Sequence, residues 1–93
     1  MANHLFTVVS DFDGGTYVSQ LEGSDPVAIA RQWAAKLRSE RFIPKSSGYI
    51  AKSLIRDLDS GDLPTPLDGL KNVWQSGAWV GHAFYTATFV QSS

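Results

Sequence analysis

Few residues in this chain have the means to do covalent chemistry. There is no cysteine, which removes a thiol nucleophile, a thiolate zinc site and a disulfide framework. His82 lies between Val80 and Phe84 in a run that reads as strand. A general base there needs one group to orient it and a substrate pocket beside it, and no Ser-His-Asp or Cys-His spacing accompanies it. A structural or half-exposed strand histidine is therefore expected, and an enzyme built on His82 ranks below a binding role. His4 has no assigned work. Asp11, Asp13 and Glu22 match positions 1, 3 and 12 of a calcium loop, but Thr16 stands where that loop needs its glycine. Asp57, Asp59 and Asp62, with Asp68 beyond, share the defect and enclose two prolines. Both sets read as a solvated turn and a solvated helix end, and neither a metal nor a cofactor is expected. Gly14-Gly15 falls between two strands rather than between strand and helix, so it reads as turn chemistry and not as a phosphate cradle.

Charge offers a different kind of site. The chain carries a net −1, yet from Arg31 to Arg56 seven basic residues stand against one acid, Glu40. Arg31, Arg38, Arg41, Lys45, Lys52 and Arg56, with Tyr49 among them, could pair with phosphates and stack a base. Nucleic-acid binding through segment 31–56 is the alternative reading. The bland counterpart is two solvated helix faces with a tyrosine covering its own turn.

The third candidate is the last apolar run, Val73 to Val90, which holds five of the eleven aromatic residues. From Ala78 to Val90 it has no formal charge and no proline, and reads as the central strand of a sheet. Alternation places Trp79, Gly81, Ala83, Tyr85, Ala87 and Phe89 on one side, small residues between large rings, as a packed helix requires. Val80, His82, Phe84, Thr86 and Thr88 fall on the other, too apolar for free solvent and too polar for a dry core. Either a loop such as Leu63 to Leu67 covers that face or a partner does. A protein-interaction surface at Val80, His82, Phe84, Thr86 and Thr88, with a homodimer as one form, is the leading reading.

These candidates need elements to hold them. Leu5 to Ser10 and Thr16 to Leu21 read as strands joined through Asp13-Gly14 or Gly14-Gly15, with Phe6, Val8, Tyr17 and Leu21 toward the core. Ser24-Asp25-Pro26 opens a helix whose apolar residues Val27, Ile29, Ala30, Trp33, Ala34 and Leu37 cover roughly 160° of the wheel. Pro44 separates it from a second helix over Gly48 to Asp59, capped by Ser46 or Ser47 and stopped at Gly61. There, Ile50, Ala51, Leu54, Ile55 and Leu58 point inward and Tyr49, Lys52, Ser53 and Arg56 outward. After a proline-broken connector, Leu70 to Trp74 reads as a short strand leading through Gln75-Ser76-Gly77 into the long one.

The fold class that follows is α+β, two-layered, a mostly antiparallel sheet of about four strands with two helices on one face, in the order β-β-α-α-β-β. Ninety-three residues make one domain, 1–93. The amino-terminal run Met1 to Val9 has neither a basic leader nor a long apolar stretch, so no signal peptide and no membrane contact are expected. The absence of cysteine fits a reducing cytoplasm.

Phe6 to Leu37, with Gly14-Gly15-Thr16-Tyr17-Val18 followed by a helix, resembles the amino-terminal hairpin and helix of HicB-type antitoxins over about a third of the chain. Leu21 runs straight into the helix cap, without the extra strand and proline-glycine turn of that family. No role is carried over from it.

Overall fold

The computed structural model describes residues 3–92; Met1 and Ala2, part of the run read for targeting, lie outside it, as does Ser93. Strand β1 (His4–Phe12) turns through Asp13-Gly14 into β2 (Gly15–Gly23), pairing Phe12 with Gly15. Both turn residues have positive φ, 49° and 84°, the type I′ geometry that matches strand twist and suits Asp-Gly. Phe6 and Val8 are buried, and Tyr17 and Leu21 pack against the core beside them, as the alternation requires.

Helix α1 (Pro26–Glu40) starts where the side chain of Asp25 accepts the Ala28 N–H at 2.8 Å, with proline in the first turn where its missing N–H is harmless. It ends at Arg41, a left-handed residue (φ 50°) whose N–H bonds the Leu37 carbonyl. Helix α2 (Ser47–Asp59) ends in a Schellman arrangement around Gly61, φ 90°, with Gly61 N–H on the Leu58 carbonyl and Asp62 N–H on that of Asp57. Of its predicted outward residues, Ser53 is buried instead, while Tyr49, Lys52 and Arg56 are exposed.

The sheet has five antiparallel strands in the order β2-β1-β5-β4-β3, one more than the sequence suggests. The addition is β3 (Thr65–Pro66), a two-residue edge piece on β4. The main correction concerns Val73 to Val90. It is a hairpin and not one strand: β4 (Val73–Val80) turns through Gly81-His82 into β5 (Ala83–Gln91), with Val80 opposite Ala83. Gly81 has φ 62° and His82 does not have positive φ, which is the glycine-first type II′ turn. Leu70 to Asn72 precede the strand as a turn with Asn72 left-handed (φ 62°), so no separate strand exists there. Only β5 is central, between β1 and β4.

The core lies between the sheet and both helices. Phe6, Val8, Ile29, Trp33, Leu37, Ile43, Ile50, Tyr85 and Phe89 are all essentially inaccessible to solvent. One polar cluster crosses it. The Trp33 indole N–H donates to the Tyr85 hydroxyl, and the buried Ser10 hydroxyl donates to the Tyr17 carbonyl at 3.3 Å. Among the described residues no buried side-chain polar atom lacks a partner. Burial pushes the Tyr85 phenol up to about 12, with the hydrogen bond from Trp33 pulling the other way.

Three outcomes follow from this packing. Tyr85→Phe strands the Trp33 N–H in the core and should lower stability by about 1–3 kcal/mol in urea denaturation. Because the Tyr85 pKa is higher folded than unfolded, its contribution is intact below about pH 10 and is lost as pH rises toward 12. That loss amounts to roughly 2–3 kcal/mol, and tyrosinate absorbance followed alongside circular dichroism should show the last-ionising tyrosine titrating together with unfolding. At Gly23 an added Cβ would lie 2.9 Å from Ile29 Cδ1 and 3.1 Å from Gln32 Nε2. Gly23→Ala should therefore cost about 1–3 kcal/mol through displacement of a fully buried isoleucine, read in the same denaturation assay.

Candidate binding site

The hairpin at Gly81-His82 redistributes the residues assigned to the outer sheet face. With Val80 opposite Ala83, the core side of β4 carries Trp74, Ser76, Ala78 and Val80, and that of β5 carries Ala83, Tyr85, Ala87 and Phe89. Val80 thus faces the core, partly buried against it, and His82 stands exposed in the turn. Phe84, Thr86 and Thr88 do lie on the outer face. Trp79 joins them there, against the single-strand reading, and is 69% exposed.

Among the described residues no helix lies on that face, and the loop Leu63 to Leu67, one of the two covers considered for it, does not lie there. Leu63 borders a small depression beside Leu54 and Leu58 on the helix side, while Thr65 and Pro66 extend the sheet as β3. The bare face is largely a ladder of threonine, glutamine and valine held by its own cross-strand pairs. Gln20 Nε2 donates to Thr7 Oγ1 at 3.2 Å, Gln75 Nε2 to Thr88 Oγ1 at 3.5 Å and Thr16 Oγ1 to Asp11 Oδ1 at 2.6 Å. Such a face is comfortable in water. Its aromatic members gather at one corner, where Phe84 (48% exposed) and Trp79 meet with ring centroids 5.0 Å apart at 59°, while Leu5 and Val18 stand exposed on the first hairpin. Gly77 makes this possible: a Cβ there would come within 2.7 Å of Phe84 Cζ, so the ring lies over bare backbone and props Trp79.

The basic residues divide. Arg31 is tied to Asp59 across the two helices at 3.1 Å, and Lys36 to Glu40 at 3.2 Å. Arg38 is exposed on the last turn of α1 and borders none of the depressions that gather the others. Arg41, Lys45, Tyr49 and Lys52 share a depression of about 360 Å³ at the amino end of α2, whose first turn holds no acid to neutralise the helix dipole. Tyr49 and Lys52 continue into a second of about 260 Å³ with Arg56 and Trp79. Arg56 donates to Ser53 Oγ at 3.2 Å and approaches Asp57 only at 3.9 Å, with most of its side chain in solvent. The spacing of Tyr49, Lys52 and Arg56 was readable from helical periodicity. Trp79 was not, because its place depends on the turn at Gly81.

The acidic sets stay dispersed. Asp11 is engaged by Thr16, Asp59 by Arg31, and among the described residues no three of His, Asp and Glu come together as a metal site. Nor, among those residues, does His82 have a hydrogen-bond or ion-pair partner. No helix of the described residues is long and apolar enough to cross a membrane.

No protein-family model, curated protein or solved structure matches the chain.

Proposed function

We propose that the chain is a non-catalytic protein-binding module that pairs with a second copy of itself through the open edge of β2. The two sheets then run on as one, and their outer faces, with Phe84, Thr86 and Thr88, become a single surface. The observation that carries this reading is the edge itself. β2 is nine residues long, has β1 on one side only, and contains neither proline nor lysine. Those are the devices by which edge strands ordinarily discourage pairing.

Which main-chain groups are free follows from antiparallel alternation. Counting from the Phe12–Gly15 pair that closes the turn, Gly15, Tyr17, Ser19, Leu21 and Gly23 bond to β1, while Thr16, Val18, Gln20 and Glu22 point away. The Glu22 carbonyl is taken by Gln32 Nε2 at 2.8 Å, in keeping with that count. Thr16, Val18 and Gln20 remain. A two-fold axis through Val18 pairs it with Val18 of the other copy and each Thr16 with a Gln20, and no charged residue lies in the stretch so joined. Val18, 64% exposed in the single chain, becomes covered. A groove of about 420 Å³ between β2 and α1, bordered by Tyr17, Lys36, Glu40 and Phe42, leaves room for the core-side residues of the incoming strand. This is strand addition, in which main-chain hydrogen bonds supply affinity and alternate side chains supply register.

Sedimentation velocity over a range of concentrations tests the proposal. The wild-type chain should shift from monomer to dimer as concentration rises. Val18→Lys should weaken the dimer about tenfold or more without loss of helical or sheet signal in circular dichroism. A chain that stays monomeric throughout, or a dimer indifferent to Val18→Lys, rules out the β2 edge.

A further inference from the structure

We infer that the chain has a second binding surface, a strip formed by Arg41, Lys45, Tyr49, Lys52, Arg56 and Trp79 that takes single-stranded nucleic acid. Its Trp79 end lies about 14 Å from the β2 edge, since β1 and β5 separate β2 from β4, while at its other end Lys45 shares a depression with Tyr17.

Three observations converge on it. The first is the alternation of charge and ring. Two adjoining depressions share Tyr49 and Lys52, one adding Arg41 and Lys45, the other Arg56 and Trp79. Tyr49 and Trp79 are 67% and 69% exposed, and the packing of the fold requires neither ring in solvent. Trp79 is also held, by Phe84 over Gly77, so its exposed face is presented with little freedom to lose. Cations along a backbone path with flat rings beside them are what a single strand needs, because every base offers a π face and every phosphate a charge. A duplex keeps its base faces stacked and cannot use the rings.

The second observation is strain in the loop between the helices. Arg41 and Lys45 have φ of 50° and 63°, left-handed values where glycine or asparagine is the ordinary occupant. Side chains with a Cβ are disfavoured there by roughly 1–2 kcal/mol each. The chain places a cation at both positions, and both border the same depression. Neither side chain has an ion-pair partner among the described residues, and Arg41 closes α1 through its N–H on the Leu37 carbonyl.

The third is the segregation of charge. Of the nine acids, Asp11, Glu22 and Asp25 lie on or beside the first hairpin, while Asp13 shares a depression with Lys45. Among the described residues the strip's one ion pair within 4 Å is that of Arg56 with Asp57, at 3.9 Å. A local positive field on a chain with no overall excess directs an anion to one place instead of coating the surface.

The test is a titration of labelled poly(dT) and poly(U) strands with the full chain, read by fluorescence anisotropy at several salt concentrations. Binding is expected, with log affinity falling against log salt at a slope of about −3, the value for four phosphate contacts at about 0.7 each. Lys52→Ala should reduce the slope by about 0.7. Trp79→Ala and Tyr49→Ala should each weaken binding about fivefold or more, while Arg31→Ala, whose guanidinium is tied to Asp59 outside the strip, leaves it unchanged. Lys45→Gly separates function from folding: it relieves the left-handed residue, so the thermal midpoint should hold or rise while affinity falls. A merely structural role for Lys45 would not reduce affinity in a variant that stays folded. The inference is overturned if neither strand binds at low salt. It is equally overturned if binding survives Trp79→Ala and Tyr49→Ala unchanged, or if a duplex or polyglutamate competes as well as the single strands, since charge alone is then being read.

Discussion

The hydrogen bond from the Trp33 indole to the Tyr85 hydroxyl is the contact on which the arrangement turns. It joins α1 to β5, two elements far apart in sequence, at a point with no access to solvent. β5 pairs directly with β1, the strand through which the amino-terminal hairpin joins the carboxy-terminal one. Non-directional burial would tolerate several rotations of α1 over the sheet. A buried donor that must find its acceptor does not, because leaving it unpaired removes more than an ordinary hydrogen bond contributes. The position of α1 over the first hairpin, and of α2 packed beside α1 over β4, is thereby specified as well as stabilised.

That specification extends outward to the surfaces. α2 is held with its apolar stripe on the sheet, so Tyr49, Lys52 and Arg56 face away at successive turns. The β4–β5 hairpin runs beneath it and ends in a tight two-residue turn, which brings Trp79 up beside that stripe from the other side of the sheet edge. The strip is therefore a junction between helix periodicity and hairpin geometry. At the opposite end of the sheet, α1 leans over β2 and engages its edge only at Glu22, through Gln32. The middle of that edge is left open because α1 ends at Arg41 and its last turn stands back behind Lys36 and Glu40.

Much of the fold was legible in the sequence. The Asp13-Gly14 turn, the Asp25-Pro26 helix start, the stop at Gly61 and the inward stripes of both helices each rest on a local rule with a strong signal. Each reads the same in isolation as in the folded chain. The terminal run failed for a physical reason. In a two-residue hairpin every facing pair differs by an odd number, beginning with Val80 and Ala83, so the core side changes from even positions on β4 to odd positions on β5. A reading that treats the run as one strand keeps a single parity, gives β5 correctly and inverts β4. This is why Ala83, Tyr85, Phe89, Phe84, Thr86 and Thr88 fall where alternation puts them and Trp79 and Val80 do not. The missing signal was present in weak form: Gly81 interrupts an apolar run of eighteen residues, about three times an ordinary strand.

The two edges of the sheet are treated differently by the chain, and the contrast bears on what each is for. At the β4 edge, β3 supplies two residues of pairing, one of them Pro66, which has no N–H to offer a newcomer. Glycine and bulky aromatics follow in Gly77 and Trp79, with cationic side chains beside them. Such an edge is poorly suited to receiving another strand. The β2 edge has the opposite character: regular, neutral from Thr16 to Gln20, and exposing a valine. Where the chain protects one edge with proline, partial pairing and charge and leaves the other regular, the regular edge is the one at which strand addition is tolerated, and the protected one is free to carry a different chemistry.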